Sequence, residues 1–194
     1  MKKLIYKLFQ IFARRYLHRT NPYLIGVTGS VGKTTARMII AQMLRHQLPN
    51  LRIDTSEKNF NSDIGLCFAI LGIQKYTPTI WMTIHTLIQA FWIGLFGEKR
   101  ADIMVLEYGI DHPGDMQTLL HIAIPHVGIL TAIDKVHAAY FSDETEIFTE
   151  KKQLLDHASE IAFWSADLTH LIDTSRFSRD VLSFALHADQ EADI

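Results

Sequence analysis

Cysteine is almost missing from this chain: Cys67 is the only one among 194 residues. That excludes an internal disulfide and any zinc site assembled from several thiolates, and it fits a reducing, cytoplasmic setting. With only 5 prolines and 10 glycines, no Pro/Gly-rich linker separates domains, and no internal repeat or low-complexity tract is visible. The length suits one substantial core and is short for two. An overall excess of basic charge is missing too; the net charge of −2 leaves no electrostatic footprint for nucleic acid. Nor is there an apolar run clearly long enough to cross a membrane. The longest uncharged stretch, residues 79–96, sits at the lower limit for a span, and His85, Gln89 and several threonines dilute it. It predicts a long helix that is mostly buried or lies at an interface.

Acidic residues are absent from positions 1–20, where Lys2, Lys3, Lys7, Arg14, Arg15 and Arg19 stand alone. Leu4, Ile5, Leu8, Phe9, Phe12 and Tyr16 fall at helical spacing, so residues 1–20 predict an amphipathic basic helix. The interrupted apolar stretch and the lack of a small-residue cleavage site make it a poor match to a secretory signal. Two readings of this helix stand. It lies on the anionic inner face of the membrane, or it packs its apolar face on the domain, which is the ordinary case.

What is present is a glycine-punctuated turn. Residues 26–35 read Gly-Val-Thr-Gly-Ser-Val-Gly-Lys-Thr-Thr after the apolar run Tyr23-Leu24-Ile25. A polyphosphate needs this arrangement: glycines let successive N–H groups curl inward, and the helix that follows adds the positive end of its dipole. Gly29, Ser30, Val31, Gly32 and Thr35 would wrap the phosphates. Lys33 can reach the β- and γ-phosphates, and the Thr34 hydroxyl can ligate Mg²⁺. The spacing departs by one place from the common phosphate-loop pattern, because Val27 stands where the first glycine is usual.

The rest of the chain alternates strand and helix. Residues 34–47 predict a helix with Met38, Ile39, Met43 and Leu44 on one face, and 51–55 a short strand. Ser62 or Asp63 can cap a helix through Leu71. Residues 103–106 and 127–133 read as buried strands, 115–123 and 144–157 as helices, and 161–164 and 181–185 as further strands. The class is therefore α/β, a mostly parallel, phosphate-loop type of sheet flanked by helices, with ligands at the carboxyl ends of the strands.

Several polar residues fall at those ends. Glu107 follows the 103–106 strand and is placed to hold Mg²⁺ or orient a nucleophile, or else is a solvated strand-end acid. His137 lies beyond the 127–133 strand, where a packed surface histidine is the commoner reading. His112, within Asp111-His112-Pro113-Gly114-Asp115, suits turn chemistry better than metal ligation. Asn59-Phe60-Asn61-Ser62-Asp63-Ile64-Gly65 reads from its spacing as an Asx-turn, with ligand binding as the other option.

Together these segments resemble the Mur ligases, and within them the branch that adds D-alanyl-D-alanine to the UDP-muramoyl tripeptide. The phosphate loop is similar, displaced glycine included. Residues 59–65 resemble that branch's Asn-x-Asn-Asn-Glu-Ile-Gly, and residues 105–115 its Leu-Glu-Met-Gly-x-x-x-Pro-Gly-Glu. Residues 131–137 are similar to its Thr-Asn-Ile-x-x-x-His. The four segments run in the family's order over much of the chain.

The resemblance implies an ATP-dependent amide-bond ligase of peptidoglycan precursor synthesis. In the family, ATP phosphorylates a carboxylate of a UDP-muramoyl-peptide, and an amine attacks the acyl phosphate. It implies ATP and Mg²⁺ as cofactors, with Thr34 on one ion and Glu107 and His137 on a second. The family also uses a carbamylated lysine about fourteen residues beyond its histidine, the place of Lys151, with Lys152 as its neighbour; a carbamate is an anionic oxygen ligand where an ammonium would repel the metal. Asn59 belongs to the nucleotide-binding set by the same resemblance, as does Ser165, in Trp164-Ser165-Ala166-Asp167, which stands for the asparagine of a base-contacting Asn-Ala-Asp. Departures are Ala132 for asparagine, Ser62-Asp63 for Asn-Glu, and a longer stretch around 79–96. The expected organisation is a basic helix over 1–20 and a Mur-type ATP-binding central domain over 21–194, without the family's UDP-binding and C-terminal ligase domains. A non-catalytic nucleotide-binding module anchored by its basic helix is the other reading. The lipid-intermediate amidating branch carries a cysteine zinc insertion, and the folate-polyglutamate branch carries Gly-Lys-Gly in its loop; neither pattern is here.

Overall fold

A computed structural model describes residues 2–55, 63–77, 79–134, 140–172 and 180–184. Six strands form one parallel sheet: β1 (Tyr23–Thr28), β2 (Ile53–Thr55), β3 (Ile103–Glu107), β4 (Val127–Leu130), β5 (Ile161–Ser165) and β6 (Asp180–Phe184). Their order is β2-β3-β1-β4-β5-β6. The chain leaves β1 for the β2 edge, returns through β3, and then crosses to the other side of β1 at β4. That reversal puts the carboxyl ends of β1, β3 and β4 around one crevice, the usual ligand position in such sheets. The predicted class is the observed one.

Strand side chains alternate between two helical layers, as a pleated sheet requires. Ile25, Val27, Ile103, Val105 and Val127 pack with Ala41 of α2 (Lys33–Gln47). Leu24, Met104 and Leu106 pack on the opposite face, with α1 (Lys2–Thr20), α3 (Asp63–Leu71) and α5 (Asp115–Ile122). Leu130, Ala162 and Trp164 meet Phe148 and Leu155 of α6 (Glu144–His157). The α6 backbone comes so near β4 that a Cβ on Gly128 would lie 2.9 Å from the Leu154 carbonyl oxygen.

Helix α1 is part of the core. Phe9, Ala13 and Tyr16, spaced one turn apart, are buried, and Phe9 stands edge-on to Phe68 of α3 at 5.1 Å. Asn21 ends the helix in the left-handed region (φ 43°), its N–H donating to the Leu17 carbonyl oxygen at 2.8 Å, and Pro22 prevents continuation. The apolar stretch at 79–96 forms α4 (Ile80–Phe96), capped by Thr79, whose hydroxyl accepts from the Met82 N–H. This helix packs on α1 through the small residues Thr86, Ala90 and Gly94. Among the described residues no helix is long and apolar enough to cross a membrane. Of the two readings, mostly buried or at an interface, burial holds only on the side facing α1: Trp81 is 80% and Trp92 57% exposed.

Two other expectations are corrected. The four apolar residues of α2 do not share one face: Met38, Ile39 and Met43 are exposed, while Leu44 packs beside the buried Arg37 and Ala41, with Ala36 and Ile40. Strand β4 stops at Leu130, short of residue 133, because the chain turns back to hydrogen-bond the phosphate loop. Smaller differences are that β2 is confined to Ile53–Thr55 and that Glu107 is the last residue of β3.

Candidate functional site

The loop between β1 and α2 takes its shape from two glycines in the left-handed range, Gly29 at φ 147° and Gly32 at φ 83°. A Cβ on Gly29 would fall 2.0 Å from Thr131 Oγ1, so no other residue fits there without moving the loop. Thr131 fixes the loop from the β4 side. Its hydroxyl donates to the carbonyl oxygens of Val31 (2.7 Å) and Thr28 (3.1 Å), and Ser30 N–H donates to the Ala132 carbonyl oxygen at 2.6 Å. Gly32 precedes α2 with no side chain capping the helix. The first N–H groups of α2 and the positive end of its dipole therefore remain available for an anion.

Two lysines converge on this loop from different elements. Lys33 Nζ donates to the carbonyl oxygens of Gly29 (2.8 Å) and Ser30 (3.2 Å). Lys151, on α6, is buried and donates from Nζ to the same Gly29 oxygen at 3.1 Å. Its neighbour Lys152 pairs instead with Asp156. Helix α6 is set for this by its start: the Asp143 carboxylate accepts from Glu146 N–H at 2.8 Å, and Glu146 reaches back to Ser142 N–H at 2.6 Å. Burial pushes the Lys151 ammonium down to about 8, and nearby Lys33 adds to the shift, while Asp111 and Glu150 oppose it. Burial also lowers Lys33, against the attraction of Glu107 and Asp111.

Glu107 faces the loop across the β1–β3 register, with Val27 beside it. Its Oε2 accepts from Thr34 Oγ1 at 2.9 Å and lies 3.6 Å from Nε of Arg37. Both ends of that ion pair are nearly sealed from water, at 1% and 4% side-chain exposure. The structure thus brings Lys33, Thr34, Glu107 and Lys151 together with residues 29–32. His137 and Asn59 lie outside the described residues. The His112 ring lies tilted against Tyr140 at 4.2 Å and sits 3.7 Å from Asp115.

Beside the loop, on the α2 face of the sheet, runs a cleft of about 570 Å³. Val31, Ile39, Ile129 and Phe163 give it apolar walls, and Ser165 and Asp167 give it a polar end, where Ser165 Oγ donates to Asp167 Oδ2 at 3.2 Å. Thr35 lines it too. An apolar slot with a few polar groups suits a flat heterocycle.

Sequence reasoning missed Arg37, Asp111 and Glu150. Arg37 lies three residues beyond Thr34, a spacing that puts it on the same face of α2. Glu150 Oε1 accepts from the N–H groups of Gly114 (3.0 Å) and Met116 (2.9 Å), tying α6 to the start of α5 one residue before Lys151. Nothing in the sequence distinguishes that carboxylate from the other acids of α6.

A family model described as the Mur ligase middle domain matches residues 27–194. The chain belongs to this family. Among curated proteins, a UDP-N-acetylmuramoyl-tripeptide–D-alanyl-D-alanine ligase of Borreliella burgdorferi is 27% identical over 81% of this chain. The ligase of the same name from Bacillus subtilis is 27% identical over 78%. The chain spans only 28% and 27% of those two Mur ligases' own lengths. Among solved structures, the MurF ligase of Thermotoga maritima in complex with ADP superposes with a TM-score of 0.70 at 26% identity, covering 93% of this chain and 36% of the ligase. MurF of Acinetobacter baumannii gives a TM-score of 0.68 at 23% identity over 91% of this chain and 34% of that one, a likeness of fold.

Proposed function

We propose that this chain binds Mg·ATP at residues 29–35 and supplies the phosphoryl-transfer site of a Mur-type, ATP-dependent amide-bond ligase in peptidoglycan precursor synthesis. The observation that carries this reading is the convergence of Lys33, Thr34, Glu107 and Lys151 on one uncapped helix N-terminus. The substrates follow from the relatives: a UDP-muramoyl-peptide carboxylate, and an amine such as D-alanyl-D-alanine. The MurF neighbour solved with ADP supports the choice of nucleotide.

The residues fit the cofactors. The free N–H groups of α2 and the Lys33 ammonium answer the charge of a triphosphate. The cleft ending at Ser165 answers the base. A hard cation takes oxygen ligands, and the Thr34 hydroxyl and the Glu107 carboxylate supply two that already touch. Among the described residues no three His, Cys, Asp or Glu side chains form a metal cluster. Mg²⁺ habitually completes its shell with water and phosphate oxygens, and His137 and a carbamate on Lys151 are the further ligands we assign. Bound Mg²⁺ would neutralise charge on the transferring phosphoryl group.

The chain's own groups do the rest. Arg37 holds Glu107 in place through its guanidinium, and Glu107 in turn orients the Thr34 hydroxyl. Burial leaves Lys151 with a sizeable neutral fraction near pH 8, and only the neutral amine can take up CO₂ as a carbamate. Asn59 completes the nucleotide set in this reading. We place the protein in the cytoplasm, peripheral to the inner face of the membrane through α1, with residues 21–194 as the central domain.

Titration calorimetry with Mg·ATP tests the core of this. The wild-type chain binds, and Lys33→Ala loses binding; unchanged affinity in Lys33→Ala would overturn the assignment. Phosphate release that needs both UDP-muramoyl tripeptide and D-alanyl-D-alanine, in the full gene product, tests the substrates.

A further inference from the structure

Helix α4 presents a largely apolar face to water, with His85 and Gln89 exposed on it. Trp81, Ile84, Ile88, Trp92 and Phe96 recur at helical spacing along it, and all are 46–80% exposed. No residue of the helix carries a formal charge. A tryptophan has about 150–250 Å² of surface, so Trp81 and Trp92 at 80% and 57% exposure put roughly 250 Å² in water by themselves. The others bring the patch to roughly 500–600 Å², the upper end of what a monomer exposes and a size that often marks an interaction site. The face is also rigidly held. Gly94 brings the α4 backbone against Phe12 of α1, Phe12 stands edge-on to Phe91 at 5.6 Å, and Arg19 of α1 donates to the carbonyl oxygens of Ile93 and Gly97 at the helix's end.

The neighbour that holds it is basic. On α1, Lys3, Lys7, Arg14, Arg15, His18 and Arg19 are exposed, with no acid among residues 1–20. Ile11, Arg14, Arg15, His18 and Arg19 line a cleft of about 680 Å³ together with Ile122 of α5. The basic character is local, since the whole chain is at −2.

We propose that α4 is the membrane-inserting face of this protein, and that it lies in the interface of an anionic bilayer with α1 as its basic rim. The proposal builds on the peripheral placement above and moves the apolar contact from α1 to α4. Charge complementarity selects the occupant. A second copy docked symmetrically on this face would bring two all-basic α1 helices together, whereas lipid phosphates neutralise them. Tryptophan near each end of the face is the composition that sits well at the headgroup level. A helix of 17 residues, about 25 Å long, lying in the plane needs no span; its outer side chains enter the headgroup–acyl boundary while α1 stays among the phosphates.

Co-sedimentation with vesicles decides it. The probes are phosphatidylcholine alone and phosphatidylcholine with about one third phosphatidylglycerol. The chain should pellet with the anionic vesicles and much less with the neutral ones. The emission of Trp81 and Trp92 should shift to the blue, with Trp164, already 2% exposed, silent. Trp81→Ser with Trp92→Ser should lower partitioning by about tenfold or more. Lys7→Glu with Arg15→Glu should abolish the preference for anionic lipid. Mg·ATP titration of the same preparations reports separately on the nucleotide site and on folding. A wild-type chain that stays in the supernatant overturns the proposal, as does binding unaltered by the tryptophan pair. A concentration-dependent dimer that those substitutions dissolve, without vesicle binding, assigns the face to a second copy instead.

Discussion

Charge is buried at the carboxyl ends of β1 and β3, and apolar side chains are exposed along α4. Arg37, Glu107 and Lys151 are 0%, 6% and 4% exposed, while Trp81, Ile88 and Trp92 are more than half exposed. Each region inverts the ordinary distribution of a folded chain, and each does so in its own way. At the loop, Glu107 meets Thr34 and Arg37, and Lys151 meets Gly29. Along α4 the outer residues stand against their own helix: Trp92 touches Phe91 and Phe96. A buried network constrains its members strongly, so altering one should disturb the fold. A solvent-facing stripe constrains nothing in the isolated chain, so altering it should disturb only association.

The largest effect should therefore come from the Glu107–Arg37 pair. Glu107→Ala removes the carboxylate 3.6 Å from the sealed Arg37 guanidinium, and breaking a buried pair costs about 3–5 kcal/mol. Urea unfolding of the nucleotide-free chain measures it. A loss below about 1 kcal/mol would mean that water or another acceptor satisfies Arg37, and would remove the contrast at its stronger end.

Lys151 gives a pH-dependent version of the same test. Its folded value of about 8 lies below the ordinary 10.5, so between those values the folded chain binds fewer protons than the unfolded one. Stability should accordingly rise as pH increases from about 8 towards 10.5, and below about 8 the full burial cost is present. The shift sets an upper bound of about 3 kcal/mol. In CO₂-free buffer, Lys151→Met should remove that part of the slope and keep the part due to Lys33. Equal slopes in the two proteins would show that Lys151 titrates as if exposed.

How much of this could be read in advance differs between the two regions. The loop could be, because its chemistry is local: residues 26–35 are contiguous, and their glycines, lysine and threonine act within a few residues of one another. Glu107 needed only its position at a strand end. Arg37 did not show itself, because a basic residue in α2 reads as solvent-facing until the β3 end is known to be opposite it. For the same reason Met38, Ile39 and Met43, read as sharing a face with Leu44, do not show in the sequence that the sheet leaves them exposed while Leu44 packs inward. On α4 the apolar character was plain and its destination was not. Composition cannot tell a buried stripe from an exposed one when both sides of the helix are apolar, and the small residues Thr86, Ala90 and Gly94, which mark the buried side, are the less apolar of the two.

Gly94 sits where the two halves of α4 meet that distinction. A Cβ there would stand 2.8 Å from the Phe12 carbonyl oxygen and 2.9 Å from Phe12 Cβ. Gly94→Ala should destabilise by about 1–2 kcal/mol, overpacking against backbone outweighing about 1 kcal/mol of helix propensity. It should also weaken vesicle binding, since α4 can no longer seat on α1. Neutral stability would show that the two helices separate freely, and the rigid presentation of the apolar face would fall with it.

The smallest effect should be the most informative about α4. Trp92→Ser removes a large ring that is 57% exposed and stands against Phe91 and Phe96 of its own helix, so unfolding free energy should change by no more than about 0.5 kcal/mol. Phe9→Ala, at a ring that is 0% exposed and set against Phe68, should cost about 3–5 kcal/mol in the same assay. The pair separates two uses of an aromatic side chain that look alike in the sequence. If Trp92→Ser cost as much as Phe9→Ala, the α4 face would be covered in the folded chain itself, and its apolar residues would belong to the core rather than to a membrane.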